Sequence, residues 1–268
     1  MLDNLAIVFV GSEAYQMIVT EAVILAGGLG TRLKEETNSK PKPMVTVGPN
    51  PILIEIISHF VKYGCDTIII CGGYKVEFIR EYFKKSKNTK HHETFENTDT
   101  FSIDIDDTRI KVKLVDTGIE TPTGGRIKII EKEITSQSFF CTYGDGLSNV
   151  DLHKLVDLHS AVNDIATLTA VKPPSRFGVL EVNDSGKVFE FLEKPKNTWV
   201  NGGFFLFNKE IFKFLDENSI LETEVLPFMA KQLRLSAYKH DGFWYSMDTL
   251  RDYEYLNELA LETPPPWK

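Results

Sequence analysis

A glycine-rich stretch followed by two cations is the first feature of the sequence that could do chemistry. In "LAGGLGTR" three glycines precede Arg32, and Lys42 follows ten residues later between two prolines. Glycines let the backbone approach an anion and direct its N–H groups at it. The prolines restrict the chain around Lys42 and hold its ammonium near the loop. Arg32 and Lys42 together favour a polyphosphate-binding site over a surface turn with solvated charges.

Two familiar nucleotide-binding loops do not fit this stretch. Leu33 stands where the dinucleotide fingerprint G-x-G-x-x-G requires its third glycine, and the Gly-Lys-Ser/Thr of a P-loop is absent. An oxidoreductase that binds a dinucleotide is a second hypothesis. However, the next strand segment ends in Gly72-Gly73, without the acidic residue that contacts a ribose. The loop therefore predicts a different kind of phosphate binding.

Two aspartates far apart in the sequence form a second candidate group. Asp145 ends an apolar run in "FFCTYGDG", and Asp248 lies in "WYSMDT" ahead of a helical segment. An isolated carboxylate among apolar residues is unfavourable unless it is paired or binds a metal. Two carboxylates beside a triphosphate offer the oxygen ligands that Mg²⁺ prefers. The alternative is a helix cap, because Asp248 and Thr249 both have side chains that cap well, and the sequence leaves both possibilities open.

The elements that would position these residues alternate between strand and helix. Residues 21–26 and 66–73 are short apolar runs of the kind that forms buried parallel strands. Residues 51–64 and 75–85 carry apolar side chains at helical spacing. Strand, helix, strand, helix predicts βαβ units and a parallel sheet, whose ligands bind at the carboxyl ends of the strands. The glycine stretch lies at such an end.

The pattern changes along the rest of the chain. Residues 86–109 are polar and predict a surface excursion or a hairpin, and short strands separated by turns follow residue 172. Two amphipathic helices are predicted near 208–217 and 222–232, and a further helix closes the chain. The predicted fold class is α/β: a Rossmann-like, three-layer fold with a mainly parallel mixed sheet and a small additional β/α region in the C-terminal third.

The same pattern predicts the domain organisation. Residues 21–268 are expected to form a single domain with two parts, 21–172 and 173–268, because no linker or repeat separates them. Residues 1–20 are expected to be an N-terminal extension: an extra strand, a loose tail or a start set upstream of the natural one. Its apolar run "LAIVFVG" is shorter than the roughly 20 residues of a membrane span and lacks the basic flank of a signal peptide.

Composition argues against several classes of partner. The chain of 268 residues carries 30 Lys and Arg against 38 Asp and Glu, so its formal net charge of −8 argues against a basic nucleic-acid-binding face. The cysteine spacings match no zinc or redox motif, and Cys71 and Cys141 lie in apolar runs as small core residues do. We therefore expect a cytoplasmic protein with small-molecule partners and no membrane or nucleic-acid partner.

A series of motifs carries a resemblance to a known family. The chain contains, in this order, "LAGGLGTRLKEET", "KPKPM", "LVDTG", "TGGR", "TYGDG", "RFG", "EKP", "NGGFF", "GFW", "MDTLRD" and "PPW". Together they resemble the sugar-phosphate nucleotidyltransferases. Three of them in series, "TGGR", "TYGDG" and "MDTLRD", resemble the glucose-1-phosphate cytidylyltransferase branch. The resemblance covers about residues 21–268 and implies a nucleotidyltransferase fold with a nucleotide-binding part followed by a sugar-phosphate-binding part.

The resemblance also implies a reaction. CTP and a sugar 1-phosphate, α-D-glucose 1-phosphate in that branch, would give a CDP-sugar and pyrophosphate by in-line attack on the α-phosphorus. Catalysis would depend on Arg32, Lys42, Asp145 and Asp248, with Mg²⁺ as cofactor held by the two aspartates, in a homo-oligomer. Such a transfer needs positioning and charge neutralisation more than a protein nucleophile, which agrees with these cations and carboxylates.

Further site residues are implied position by position. Nucleotide contacts are implied for Leu25, Ala26, Gly27, Gly28, Leu29, Gly30, Thr31, Arg32, Lys42, Thr121, Arg126 and Gly144. Sugar-phosphate contacts are implied for Glu193, Lys194, Asn201 and Gly202. Lys194 would neutralise the phosphate, and Gly202 would leave room for the sugar ring. Arg176 and Phe177 would shape or brace the same pocket.

Two departures from the family pattern concern the acceptor. Tyr245-Ser246 stand where the family often has Gln-Pro, and residues 221–225 stand where it often has Trp-Glu-Gln-Glu-Pro. A cytidylyltransferase for a different sugar or small-molecule phosphate is therefore one alternative. A non-catalytic nucleotide-binding relative is another, against which the intact Arg32 and Lys42 argue.

Overall fold

The computed structural model describes residues 17–173, 179–192 and 198–268. The α-helices in these ranges are α1 Lys34–Thr37, α2 Ile52–Lys62, α3 Val76–Lys85, α4 Thr123–Ile129, α5 Leu152–Val162, α6 Leu226–Lys231 and α7 Leu250–Leu259. The strands are β1 Glu21–Leu25, β2 Thr46–Val47, β3 Asn50–Pro51, β4 Thr67–Gly72, β5 Thr89–Phe95, β6 Thr98–Ile105, β7 Thr108–Asp116, β8 Ser138–Tyr143, β9 Gly146–Ser148, β10 Ala166–Val171, β11 Val179–Val182, β12 Val188–Leu192, β13 Val200–Asn201, β14 Phe205–Asn208, β15 Leu235–His240 and β16 Trp244–Ser246.

One mixed sheet forms the centre of the molecule. Within the described ranges it contains ten strands in the order β13-β10-β14-β8-β1-β4-β7-β6-β5, with β15 also paired to β10. Parallel pairs join β8, β1, β4 and β7, whereas antiparallel pairs attach β14 to β8 and β6 to β7. The predicted α/β fold with a mixed sheet is confirmed, and the βαβ pattern of the sequence corresponds to its parallel part.

Alternation along the central strands produces an apolar layer on each face of the sheet. Ala22 and Ile24 of β1 pack in a cluster that includes α2 and α3, while Val23 and Leu25 pack in a second cluster that includes α4. All four side chains are buried, as expected of a parallel strand that is covered on both faces. The sheet is therefore the middle of three layers.

The polar region 86–109 belongs to this sheet. β5 and β6 form an antiparallel hairpin that extends the sheet beyond β7, which confirms the hairpin alternative. The buried Asp99 of β6 accepts hydrogen bonds from Arg80 Nε of α3 and from Thr94 Oγ1, the latter at 2.6 Å. Because a buried carboxylate needs such partners, this contact attaches the hairpin to the helix that packs on it.

Two predicted helices of the C-terminal third have a different geometry. The segment predicted near 208–217 is a 3-10 helix, Lys209–Phe214, and the one near 222–232 begins as a π-helical turn, Leu221–Val225, before α6. Pro227 stands in the first turn of α6. Proline has no N–H for the carbonyl four residues back, which disfavours regular α-helix just ahead of it. Periodicity thus predicted helical segments without distinguishing their type.

Two further findings bear on the expected class of protein. All three cysteines, Cys65, Cys71 and Cys141, are buried and form no disulfide. Cys71 and Cys141 are fully buried, which confirms their prediction as core residues. No helix in the described ranges is both long enough and apolar enough to cross a membrane.

Candidate active site

A cavity of about 390 Å³ opens where β1, β7 and β8 reach their carboxyl ends. Its lining residues are Leu25, Ala26, Gly27, Gly28, Gly30, Thr31, Arg32, Lys42, Pro43, Ile119, Thr121, Pro122, Thr123, Arg126, Tyr143, Gly144, Asp145 and Asp248. Ligands of α/β proteins bind at this edge of the sheet. The cavity also contains the glycine stretch and both aspartates singled out in the sequence, and it is therefore the candidate active site.

A buried arginine ties the glycine loop to the neighbouring strands. Arg126 of α4 is only 4% exposed. Its two terminal nitrogens donate to oxygens of Gly72, Thr117, Gly118, Gly27 and Ile119 at 2.6–3.1 Å. These oxygens belong to the last residue of β4 and to the segments that follow β1 and β7. Arg126 therefore links the ends of three parallel strands.

Close packing explains two glycines of the site. A Cβ at Gly27 would lie 2.0 Å from Arg126 Nη1, so any side chain there would displace the guanidinium. A Cβ at Gly144 would lie 3.0 Å from Leu25 O. Gly30 instead has a φ of +63°, a conformation that glycine adopts most readily. Packing within the protein and backbone conformation therefore require these glycines, in addition to any need for a ligand to approach the loop.

A short antiparallel ladder brings the two aspartates together. β9 pairs with β16 so that Gly146 lies opposite Ser246, and Met247 N donates to Asp145 O at 2.9 Å. Asp145 immediately precedes β9, and Asp248 follows β16 by two residues. Because the strands run in opposite directions, both aspartates lie at the same end of the ladder. The ladder therefore joins residues that are far apart in the sequence.

The ammonium of Lys42 lies between the two carboxylates. Lys42 Nζ donates to Asp145 Oδ2 at 2.6 Å and to Asp248 Oδ1 at 2.9 Å, which places these oxygens at most 5.5 Å apart. Burial acts to lower the pKa of Lys42, but the charge and hydrogen bond of Asp145, joined by Asp248, raise that pKa above its usual value. Burial likewise acts to raise the pKa of Asp248, but Lys42 lowers it.

Two residues complete this part of the site. Arg32 Nη1 lies 3.8 Å from Asp248 Oδ1, and the Arg32 side chain is 77% exposed. An exposed ion pair contributes little to stability. The exposure of the Arg32 side chain leaves its guanidinium accessible to a ligand. Thr249, rather than Asp248, is the N-cap of α7. The cap alternative for Asp248 is therefore excluded, and its carboxylate is directed at Lys42.

A second polar group borders the cavity at Tyr143. Tyr143 Oη donates to Glu222 Oε1 at 2.7 Å and accepts from Asn201 Nδ2 at 3.2 Å, while Thr123 Oγ1 donates to Glu222 Oε2 at 2.6 Å. Burial and the Glu222 charge raise the pKa of Tyr143, so its hydroxyl stays neutral. The sequence motifs assigned no role to Tyr143 or Glu222. Tyr143 directly precedes Gly144 at the end of β8, and this position in the sequence could have indicated a role for Tyr143 in the site. Glu222 is remote in the sequence, so its contact with Tyr143 could be found only from the folded structure.

Most residues predicted for the nucleotide line the cavity, with some differences. Leu29 is about half exposed and does not line it. Asn201 does not line the cavity, but it donates a hydrogen bond to Tyr143, which does. Gly202 packs against Val171, whose Cγ1 would lie 2.7 Å from an added Cβ, so close packing requires a glycine there. Four residues predicted for the sugar-phosphate side lie outside the described residues: Glu193, Lys194, Arg176 and Phe177.

The carboxylate pair is compatible with a magnesium ion that also binds phosphate. No group of three or more His, Cys, Asp or Glu side chains that could hold a metal occurs in the part of the chain that the structure describes. Mg²⁺ commonly uses only one or two carboxylates when phosphates and water supply its remaining ligands. Asp145 and Asp248 already converge on one cation, the Lys42 ammonium. Their chemistry and their shared orientation toward one point therefore fit such an ion.

Comparison with known proteins identifies relatives across nearly the whole chain. The nucleotidyl transferase family model matches residues 21–262. The chain is 43% identical over 255 residues to the glucose-1-phosphate cytidylyltransferase of Salmonella typhimurium, which covers 92% of this chain and 98% of that protein. It is 36% identical over 253 residues to the probable glucose-1-phosphate cytidylyltransferase of Bacillus subtilis, with 92% and 99% covered. Among solved structures, HddC from Yersinia pseudotuberculosis has the same fold, with a TM-score of 0.65 at 24% identity over 90% of this chain and 99% of that chain.

These similarities confirm the resemblance carried by the sequence motifs. The family model begins at the residue where β1 begins and extends beyond α7, so it includes every described residue that lines the cavity. The relative at 43% identity is matched over almost its full length. Together with the α/β fold, they show that the chain belongs to the nucleotidyl transferase family.

Proposed function

We propose that the protein is a glucose-1-phosphate cytidylyltransferase, which makes CDP-glucose and pyrophosphate from CTP and α-D-glucose 1-phosphate. One observation carries the proposal: the cavity brings Lys42 and Arg32 to the carboxylates of Asp145 and Asp248. These are the charges that a triphosphate and its metal ion require. The names of the relatives at 43% and 36% identity support the choice of cytidine nucleotide and of glucose.

The side chains at the cavity favour direct transfer. The described residues that line it include no Ser, Cys or His, and the raised pKa of Lys42 keeps its amine protonated and therefore not nucleophilic. The sugar phosphate oxygen would therefore attack the α-phosphorus in line, and the bond to pyrophosphate would break, without a covalent enzyme intermediate. Lys42 and Arg32 would pair with phosphate oxygens, where they stabilise the negative charge on the departing pyrophosphate.

Asp145 and Asp248 are the proposed ligands of Mg²⁺. The two carboxylates would hold the ion, which would supply positive charge that offsets the charge of the phosphates. Lys42 now holds the position between the two carboxylates. We therefore expect Lys42 to exchange these partners for a phosphate oxygen when nucleotide and metal bind.

The glycine loop is the proposed site of the nucleotide. Residues 25–30 and Thr31 would direct backbone and hydroxyl groups at CTP, with Thr121 and Gly144 on neighbouring strand ends. The terminal nitrogens of Arg126 already donate to protein oxygens. This supports a role for Arg126 in shaping the nucleoside pocket, alongside the contact with nucleotide that the resemblance implies.

The acceptor is proposed to lie beside Tyr143. Sugar-phosphate contacts are proposed for Glu193, Lys194, Asn201 and Gly202. The link between Asn201, Tyr143 and Glu222 supports this location, because a neutral phenol and a carboxylate can donate to and accept from sugar hydroxyls. Glu222 itself agrees with the family pattern, so selection of a different acceptor would depend on its neighbours in segment 221–225 that depart from that pattern.

A cytoplasmic homo-oligomer is proposed as the working form. Unpaired cysteines support the location. The β11–β12 hairpin supports the assembly, since a lone two-stranded hairpin is marginally stable and a second copy of the chain would cover its apolar surface. Its side chains that are 49–66% exposed are Leu180, Val182, Val188, Phe189 and Phe191. Sedimentation should detect a species larger than the 30.4 kDa chain, and a monomer at all concentrations would contradict the assembly.

A screen of pyrophosphate release tests the proposed reaction. The protein is incubated with Mg²⁺, each of the four ribonucleoside triphosphates and a panel of sugar 1-phosphates. We expect the highest kcat/KM for CTP with α-D-glucose 1-phosphate. Turnover of CTP with another phosphate would favour the alternative acceptor, and CTP binding without turnover would favour a non-catalytic relative. Preference for another nucleotide would contradict the proposal.

A further inference from the structure

Asp252 is a buried carboxylate directly behind the proposed metal ligand Asp248. It lies in the first turn of α7, and none of its surface is exposed. It does not line the cavity, so the proposed reaction does not use it directly. A carboxylate held away from water is unfavourable unless hydrogen bonds compensate for its lost hydration. The groups that donate hydrogen bonds to Asp252 therefore indicate which segments of the chain it stabilises.

Several of the described partners of Asp252 belong to the turn that carries Asp248. Asp252 Oδ2 accepts from Thr249 N at 2.9 Å, from Thr249 Oγ1 at 2.8 Å and from Asp248 N at 3.2 Å. Its other oxygen, Oδ1, accepts from Tyr245 Oη at 3.0 Å. One carboxylate thus joins β16, the turn and the first turn of α7.

The bond to Asp248 goes beyond ordinary helix capping. In a capping box, the side chain three residues into the helix accepts only from the N-cap N–H, and here Thr249 and Asp252 form such a box. The bond from Asp248 N is additional and immobilises the backbone of the proposed metal ligand itself. Its carboxylate can then reach Lys42 Nζ at 2.9 Å, beside Asp145.

We propose that Asp252 is a positioning residue that holds Asp248 in the orientation required to bind the metal–nucleotide complex. The inference rests on the proposed function, because it assumes that Asp248 binds the metal. Tyr245 supports it through Oδ1, which connects the carboxylate to the same β9–β16 ladder that positions Asp145.

The test separates positioning from helix capping. Asp252→Ala removes both effects, whereas the matched control Thr249→Ala breaks the capping box but leaves an acceptor for Asp248 N. Dissociation constants of Mn²⁺ are measured by electron paramagnetic resonance with CTP present and no acceptor, and melting temperatures are recorded for each variant. Asp252→Ala should raise the Mn²⁺ Kd about tenfold or more, as loss of a group that orients a metal ligand does. Thr249→Ala should lower the melting temperature similarly but leave the Kd near the wild-type value.

Two milder variants keep the test decisive if Asp252→Ala fails to fold. Asp252→Asn retains the size of the side chain, and Tyr245→Phe removes the hydroxyl that donates to Oδ1 but keeps the ring. Both should raise the Mn²⁺ Kd without unfolding the protein. Equal Kd values in wild type and the Asp252 variants would overturn the positioning role alone. An equal rise in Thr249→Ala would also overturn it. Wild-type protein that binds no Mn²⁺ with CTP would overturn the proposed function as well.

Discussion

Two cations in the walls of one cavity are held in opposite ways. Arg126 donates to five neutral oxygens of the protein, most of them backbone carbonyls at three strand ends. Lys42 donates to two carboxylates of separate chain segments. Backbone carbonyls cannot move away without distorting the strands, whereas two carboxylates can accept another cation with little change in the fold. The cavity therefore has a fixed end at Arg126 and an exchangeable end at Lys42.

This difference assigns different tasks to similar charges. At the fixed end, the cation organises the backbone, so its loss should affect stability first. At the exchangeable end, the cation balances charge, so its loss should affect chemistry and metal binding first. Mutations at the two ends of the cavity therefore test this division.

The aspartates of the exchangeable end should be the most sensitive positions. Asp145→Asn or Asp248→Asn is expected to lower kcat by at least about 10²–10³-fold, because each removes a charge that stabilises the transferring phosphates. The melting temperature should change little, since Lys42 keeps one carboxylate partner in either variant. Pyrophosphate release and thermal unfolding measure the two effects. Wild-type turnover in either variant would contradict its assignment as a metal ligand.

Replacement of Lys42 should separate activity from metal affinity. Lys42→Met is expected to lower kcat/KM about 10²-fold, the scale of one lost charge-stabilising donor. The same variant should bind free Mn²⁺ more tightly without nucleotide, because no ammonium competes for the carboxylates. Lys42→Arg preserves the charge and is the matched control. Weaker Mn²⁺ binding in Lys42→Met would show that Lys42 holds the carboxylates in place instead of occupying their shared position.

Replacement of Arg126 should have the opposite profile. Arg126→Met leaves buried backbone oxygens without their donors and is expected to reduce the free energy of unfolding by about 2–4 kcal/mol. Arg126→Lys should lose nearly as much, because one ammonium cannot reproduce the planar guanidinium contacts. Urea unfolding measures both. If these variants were as stable as the wild type but no longer bound CTP, Arg126 would have a role in nucleotide binding and none in stability.

Replacement of Glu222 should weaken only the binding of the acceptor sugar phosphate. Glu222→Gln keeps the shape of the side chain but removes the charge beside Tyr143, so KM for the sugar 1-phosphate should rise by up to about tenfold, or 1.4 kcal/mol. KM for CTP should remain unchanged. Tyr143→Phe, which removes the hydroxyl between Glu222 and Asn201, should act in the same direction. A change in KM for CTP instead would place this group at the nucleotide.

The smallest expected effect is a pH dependence of the stability that the Lys42–Asp248 contact provides. Lys42 lowers the pKa of Asp248, so their contact stabilises the fold above the unfolded value near 3.9 and is lost as pH falls through the folded value. The difference in unfolding free energy between wild type and Lys42→Met, on the order of 1 kcal/mol for a partly exposed pair, should therefore begin to shrink as pH falls below about 4 and vanish once pH is below the folded pKa of Asp248. The Arg126→Met difference should stay constant across this range, because its acceptors are uncharged. A Lys42 difference that persists in acid would contradict the ionic origin.

Sequence patterns predicted the centre of the fold better than its edges. Strands such as β1 and β4 are buried on both faces, so they appear as continuous apolar runs. α3 shows clear helical periodicity because only one of its faces is covered, whereas α2 is buried along nearly its whole length. The π-helical turn at Leu221–Val225 could not be predicted, because periodicity does not distinguish the type of helical turn.

The same limit applies to the site. Lys42, Asp145 and Asp248 could be selected from residue type and motif, but their contact depends on the β9–β16 ladder, whose partners are remote in the sequence. The five acceptors of Arg126 and the meeting of Tyr143 with Glu222 depend in the same way on how strand ends align. Residue chemistry was therefore predictable, whereas contacts between remote segments were not.

A crystal structure with Mg²⁺ and a non-hydrolysable CTP analogue would show whether both aspartates bind one ion and whether Lys42 moves. We predict one ion bound by both Asp145 and Asp248, with Lys42 moved to a phosphate oxygen and Arg126 still hydrogen-bonded to the strand ends. An ion or triphosphate lodged elsewhere, or Lys42 still between the carboxylates beside a bound nucleotide, would contradict this prediction.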